Sequence, residues 1–286
     1  MREMRAGAFG PQALRMKEQV MSDDMGPMLV CENVVKRFGS LAAVDGVSLS
    51  VNRGEIVGIG GPNGAGKTTF FDVITGIIPA TEGRMRFGDT DIGGLGADRI
   101  CQLGMARTFQ LNAAFDSLTV RENVDIAAYF GRGKRRIPGF RLGNEVRDQT
   151  EEALAFVGLS AKADETVAQL PVLDRKLLMI AGAIATKPQI LFLDEPVGGL
   201  NGDEIDHIMA LVLKLRDQGM TVVLIEHVMR FLLALSSRVI IMHHGKVIFE
   251  GPPSAVAEDQ TVVETYLGEG TQKRLKKYFA EGETQP

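Results

Sequence analysis

Ile56-Val57-Gly58-Ile59-Gly60-Gly61-Pro62-Asn63-Gly64-Ala65-Gly66-Lys67-Thr68-Thr69 is the stretch that decides how the rest of the chain reads. Ile56–Gly60 is an apolar run that ends abruptly in glycines, as a buried strand does before a turn. Lys67–Gly76 then reads as a helix. The junction Gly61–Thr68 fits the phosphate-loop pattern G-x-x-x-x-G-K-[ST] in full. Its glycines let backbone N–H groups curl around β- and γ-phosphates, where a Cβ would collide. The start of the helix adds the positive end of its dipole. Lys67 supplies a point charge and Thr68 a hydroxyl for Mg²⁺. Gly61, Pro62, Asn63, Gly64, Ala65, Gly66, Lys67, Thr68 and Thr69 are the candidate nucleotide contacts. The bland alternative, a glycine-rich turn without a ligand, sits poorly with a buried strand before it and a helix after it.

Outward from this loop, helix and strand patterns alternate, which implies an α/β fold with a mostly parallel sheet. The 286 residues are 45% hydrophobic, enough for a sizeable core. A net charge of −4 gives the molecule no general attraction for nucleic acid. Cys31 and Cys101 lack metal-type spacing and read as reduced, packed thiols. Apolar runs such as Thr221–Ile225 and Val239–Met242 are strand-length, far below the roughly 20 residues of a spanning helix. The N-terminus has no continuous apolar core and does not read as a secretory signal. Residues 1–27 are methionine-bearing and without clean period, and are expected to be a disordered extension. We assign them no function.

Leu29–Cys31 and Val47–Val51 read as short strands, and folding is expected to begin at Met28. From about Leu111 to about Ala168 the pattern turns helical and contains the basic, glycine-bearing stretch Gly131–Arg136 followed by Pro138. This predicts a helical subdomain inserted in the α/β core, over about 111–183. Asp203–Asp217 is amphipathic, with Ile205, Ile208, Met209, Val212 and Leu215 at helical spacing. His244-Gly245 is expected to turn Val239–Met242 into Lys246–Phe249.

Ile190-Leu191-Phe192-Leu193 is a buried strand that ends in Asp194-Glu195. Asp194 at the strand tip can hold Mg²⁺ through water, and Glu195 can polarise an attacking water as a general base. Alone, such a pair is weak and could be a helix cap. Downstream of a phosphate loop, the catalytic reading is favoured. Thr221–Ile225 is followed by Glu226-His227, and an imidazole at that strand edge can reach a γ-phosphate. A lone histidine is more often a satisfied surface residue; His207, His243 and His244 keep that reading.

Together these residues resemble the ATP-binding cassette (ABC) family, from about Met28 to Gly270. That resemblance implies an α/β P-loop NTPase (RecA-like) core with an antiparallel β part and an inserted α-helical subdomain, ATP and Mg²⁺ as ligands, and ATPase activity. By the same resemblance, Phe38 stands where an aromatic stacks on adenine. Gln110, in Arg107-Thr108-Phe109-Gln110, is similar to the glutamine that contacts Mg²⁺ or lytic water and faces the helical subdomain. Thr68, Gln110 and Asp194 are then the metal residues, and Glu195, Gln110 and His227 the catalytic ones. Gly198-Gly199-Leu200-Asn201 occupies the family's D-loop. Ala106–Gln110, Leu118–Val124 and Tyr266–Gly270 resemble subunits of branched-chain amino-acid importers; relatives energise urea uptake or lipopolysaccharide export.

One segment departs from the family. The LSGGQ signature falls on Leu170-Pro171-Val172-Leu173-Asp174. The serine hydroxyl is gone, both glycines are branched side chains, and an aspartate replaces glutamine. In the family this segment caps the γ-phosphate of a partner chain. Here Pro171 removes a backbone donor and Asp174 would repel phosphate.

The resemblance implies a second ABC ATPase subunit (a heterodimer), integral membrane permease subunits and, indirectly, a substrate-binding protein. It also implies a peripheral place on the cytoplasmic face of the cell membrane. Two other readings fit less well. Repair and translation ATPases of the family carry long coiled coils or two cassettes, whereas this chain has one phosphate loop and no heptad run. A regulatory module with little hydrolysis would not need Glu195 and His227. Basic runs at Arg132–Arg136 and in the tail over 271–286 read as solvated rather than lipid-bound, and lack the interleaved aromatics of a nucleic-acid platform.

Overall fold

The computed structural model describes residues 26–109, 114–131, 143–268 and 270–275. Three five-residue strands are buried at every position: β3 (Ile56–Gly60), β7 (Ile190–Asp194) and β8 (Thr221–Ile225). Such strands need apolar side chains of both parities, because helices or sheets cover both faces. Val223 and Ile225 enter one core while Val222 and Leu224 enter the other. Together with β6 (Met105–Arg107), β9 (Arg238–His243) and β10 (Lys246–Gly251) they form a six-stranded sheet in the order β10-β9-β3-β8-β7-β6. All its pairings are parallel except β9–β10.

A second, antiparallel sheet has the order β2-β1-β4-β5, from β1 (Leu29–Phe38), β2 (Leu41–Val51), β4 (Glu82–Phe87) and β5 (Thr90–Asp91). Helix α1 (Lys67–Ile74) lies between the sheets and packs Phe70, Phe71, Val73 and Ile74 into their shared core. α2 (Ala97–Leu103) adds Ile100 to the same core. β1 and β2 run longer than their apolar stretches predict. Register shifts between Cys31 and Val34, and on to Arg37, break the two-residue alternation. Polar Glu32 and Asn33 therefore lie inside a continuous strand.

α3 (Val120–Phe130), α4 (Asn144–Val157) and α5 (Val172–Ala185) pack on one another through Val124, Leu154, Leu177 and Ile180. α3 opens on a capping box, Thr119 with Glu122. α6 (Gly202–Asp217) opens on another, Asn201 with Glu204, and buries Ile208, Leu211, Val212 and Leu215 under the main sheet. α7 (Met229–Leu235) covers β3, pressing Leu232 against Gly58 and Gly60. His244, with φ 46°, and Gly245 make the turn between β9 and β10. Cys31 is buried, which pushes its thiol pKa up to about 12. No helix among the described residues is long and apolar enough to cross a membrane.

Candidate active site

Strand register sets the site. Ile59 pairs with Ile225, and Ile225 with Asp194, so β3, β8 and β7 end level with one another. The residues after those ends, Gly61, Glu226 and Glu195, meet on one rim of the sheet. Ligands of open α/β sheets bind at that rim.

The loop at the end of β3 is folded back on the protein. Gly61 has φ 140°, and a Cβ there would lie 2.2 Å from the Met242 carbonyl oxygen. Gly66 has φ 98°, and its Cβ would lie 2.1 Å from the Ala43 carbonyl oxygen. Neither position admits another residue. Lys67 is buried and threads the loop, its ammonium donating to Gly61 O at 2.7 Å and Pro62 O at 3.0 Å. Burial lowers its pKa, and the nearby Glu195 and Asp194 carboxylates oppose that. Thr68 stands exposed beside it, and Thr69 is half-buried. α1 has no side-chain cap and no acidic residue in its first turn, so its leading N–H groups are not taken by a side chain of its own. A phosphate placed there would meet a positive helix end and a charged lysine.

Asp194 is buried at the end of β7. Its Oδ2 accepts from Arg107 at 2.8 Å, while its Oδ1 is buried without a partner. Burial raises its pKa, against the pull of Arg107. An unpartnered buried carboxylate oxygen is the kind of ligand Mg²⁺ takes. Among the described residues no cluster of three His, Cys, Asp or Glu could hold a metal.

Glu195 occupies the left-handed region, φ 48°, which is strained for a glutamate. Its N–H donates to Ile225 O at 3.0 Å. Its carbonyl accepts from Lys176 Nζ at 2.7 Å and from the Gly198 N–H at 3.3 Å. Its Oε1 lies 3.9 Å from Nδ1 of His227, whose ring is half exposed. Glu226 is wholly buried and accepts from the N–H groups of Val197, His227 and Val228. Burial raises its pKa, and those donors pull it down.

The structure thus brings Gly61–Thr69, Asp194, Glu195 and His227 to one rim. Phe38 ends β1 with its ring exposed and the Lys36 ammonium 5.1 Å from its centroid. Gln110 lies outside the described residues, as do Arg132–Arg136 and the tail from residue 276. Arg107 was missed as a site residue, although it stands in the same five-residue string as Gln110. It donates to Asp72 Oδ1 at 2.6 Å and to Asp194 at 2.8 Å, joining α1 to the tip of β7. A buried arginine beside a strand-tip aspartate is the signal, and it appears only once the two strands pair.

The signature segment opens α5. Pro171 is the N-cap and Asp174 lies in the first turn, buried and ion-paired with Lys162. The carboxylate that the sequence placed against a phosphate is thus turned onto a lysine. Val172 is exposed at the same helix end. Nearby, Ile77, Phe109, Phe115, Ile126, Leu178 and Met179 line an open apolar groove. Asn123 clamps the Phe115 backbone on both sides, accepting from its N–H at 2.8 Å and donating to its carbonyl at 3.1 Å.

A phosphate loop, a strand-tip Asp-Glu pair and a histidine on one rim of such a sheet define a P-loop ATPase. The chain belongs to the ABC transporter family, whose pattern matches residues 44–198, and is an ATP-binding subunit of that family. It is 36% identical over 251 residues to the high-affinity branched-chain amino acid transport ATP-binding protein BraF of Pseudomonas aeruginosa, covering 85% of this chain and 98% of that protein. It is similar to a nucleotide-free ATP-binding cassette from an ABC transporter, with TM-score 0.77, 34% identity and 85% and 100% of the two chains covered. It is also similar to a dimeric post-hydrolysis cassette bound to ADP and Pi, with TM-score 0.69, 28% identity and 79% and 99% covered.

Proposed function

We propose that this chain hydrolyses Mg·ATP to power an importer of branched-chain or related amino acids, as one of two unlike cassettes on a membrane permease. The convergence of Lys67, Asp194, Glu195 and His227 on one strand rim carries this reading. Gly61–Thr69 bind the phosphates, and Phe38 stacks on the adenine. Thr68, Asp194 and Gln110 would hold Mg²⁺, which would shield the phosphate charge. Glu195 takes a proton from the attacking water, and His227 contacts the γ-phosphate. The similarity to BraF supports the amino-acid substrate class.

The partner cassette follows from the signature. Each ATP site of an ABC dimer joins one chain's phosphate loop to the other's signature. A homodimer would face both ATPs with Pro171–Asp174. A partner with an intact signature completes the site built on Lys67 and Glu195, and leaves the opposite site slow. The groove beside Phe115 suits an apolar helix of the permease. Arg175 of α5 pairs with Asp116 at 2.8 Å, tying the groove loop to the signature helix. A peripheral position on the cytoplasmic face follows from permease docking.

The test is reconstitution of this chain with its partner cassette and permease in vesicles. ATP-dependent leucine uptake, lost with Glu195→Gln, is expected. Vigorous hydrolysis by this chain alone would overturn the unlike-partner reading, and uptake indifferent to Glu195→Gln would overturn its catalytic role.

A further inference from the structure

Lys176 sits on α5, inside the turn that follows the signature segment, and is buried. A buried ammonium needs hydrogen-bond acceptors and opposite charge. Its Nζ donates to the Glu195 backbone carbonyl at 2.7 Å. Burial lowers its pKa, and the nearby Glu226, Glu195 and Asp194 carboxylates at the tips of β7 and β8 oppose that. The same carbonyl accepts from Gly198, where an added Cβ would lie 3.9 Å from Nζ.

Three segments therefore meet on one oxygen: the signature helix, the β7 tip and the D-loop. That oxygen belongs to a residue held at φ 48°. A left-handed glutamate persists only where its surroundings over-determine it. The N–H is fixed by β8, and the carbonyl is fixed by a charge-assisted bond, about twice as strong as a neutral one. With both peptide ends held, the side chain leaves the rim in one direction, toward His227.

We propose that Lys176 is a positioning residue for Glu195, through which the signature helix sets the catalytic carboxylate of its own chain. This rests on the dimer reading above. In that dimer α5 engages the ATP bound by the partner, while Glu195 serves the ATP bound by this chain. Lys176 then joins the two sites, and the slow site built on Pro171–Asp174 acts as a regulatory one. Occupation of that site shifts α5, and Lys176 passes the shift to Glu195.

The experiment uses the assembled complex with Lys176→Met and Lys176→Arg. Turnover, KM for ATP, the Kd of a fluorescent ATP analogue and the thermal midpoint are measured on each. Lys176→Met should lower kcat about tenfold or more while KM and Kd stay within about twofold, because about 1.4 kcal/mol of lost positioning is tenfold. Lys176→Arg keeps the donor and charge and should recover a substantial part of the rate. A kcat for Lys176→Met within twofold of the parent overturns the proposal. So does an equal loss in both variants with a lowered thermal midpoint, which marks a packing role. The second measurement is ATP-trapped dimer formation by Glu195→Gln with and without Lys176→Met. Equal trapping supports action through Glu195, and lost trapping overturns it in favour of a direct role at the partner's ATP. If Glu195→Gln alone forms no trapped dimer, the dimer reading fails instead.

Discussion

Two helices begin at the faces we propose handle nucleotide, and their first turns differ in charge. α1 opens on a left-handed glycine, without side-chain cap or acidic residue, and carries Lys67 as its first residue. α5 opens on Pro171, with Val172 exposed, and holds Asp174 in its first turn against Lys162. Both have the same backbone dipole. In α1 the dipole faces outward beside a buried cation, so an anion gains from it. α5 also lacks a side-chain cap, but its first turn carries a carboxylate held by Lys162, so an incoming phosphate meets the dipole beside an acidic group instead of a buried cation. A helix N-terminus is an anion site only where the sequence leaves it bare. The contrast between the two ends underlies the unlike-cassette reading.

The largest expected effects test the bare end. Glu195→Gln keeps shape and hydrogen bonding but loses basicity. Turnover by the assembled complex should fall about 10²-fold or more, as general-base contributions do, with ATP still bound. A rate within a few-fold of the parent breaks the assignment. Lys67→Ala removes a charge-assisted hydrogen bond worth about 1.5–3 kcal/mol. Nucleotide affinity should weaken by roughly tenfold to a hundredfold, read by equilibrium binding of a fluorescent analogue. Unchanged affinity would mean that the lysine, bonded to Gly61 and Pro62, only shapes the empty loop.

The closed end is tested by opening it. Pro171→Ser, Val172→Gly, Leu173→Gly and Asp174→Gln together restore donors and remove the carboxylate. Hydrolysis at the second composite site should then rise several-fold, measured in a complex whose first site carries Glu195→Gln. A flat result would mean that the partner's own catalytic residues, not this helix end, limit the second site.

The comparison also marks what the sequence carries. Gly61–Thr68 is legible because one contiguous segment supplies strand, turn and helix start. Ile56–Gly60 and Thr221–Ile225 were located to the residue, since a strand buried on both faces is a short apolar run with hard edges. Leu29–Phe38 was not, because bulges with Leu41–Val51 erase its alternation. Arg107 and Lys176 were illegible as site residues for another reason. Arg107 meets Asp194 across 87 positions, and Lys176 meets the Glu195 backbone across 19. A polar residue in an apolar stretch does not announce its partner, which only the strand order and helix packing supply. The closing of Asp174 onto Lys162 is of the same kind.

The smallest expected effect belongs to the rim beside the bare helix end and is read by pH. Glu226 stands under the catalytic rim, wholly buried, with its pKa raised from 4.5 by that burial. Between 4.5 and its raised folded value, the folded chain holds a proton that the unfolded chain has released. Stability therefore falls as pH rises through that window, because the native state binds more protons there. Asp194 is raised in the same direction, so the slope has two contributors on this side of the molecule. Glu226→Gln removes one of them and should make the thermal midpoint fall less steeply from about pH 4.5 upward. Asp194→Asn removes the other and should flatten the slope in the same direction. Thermal unfolding across pH 4 to 7 on the parent and both variants reads the difference. An unchanged slope in both variants would place the titration in the molecule's general charge rather than under the rim.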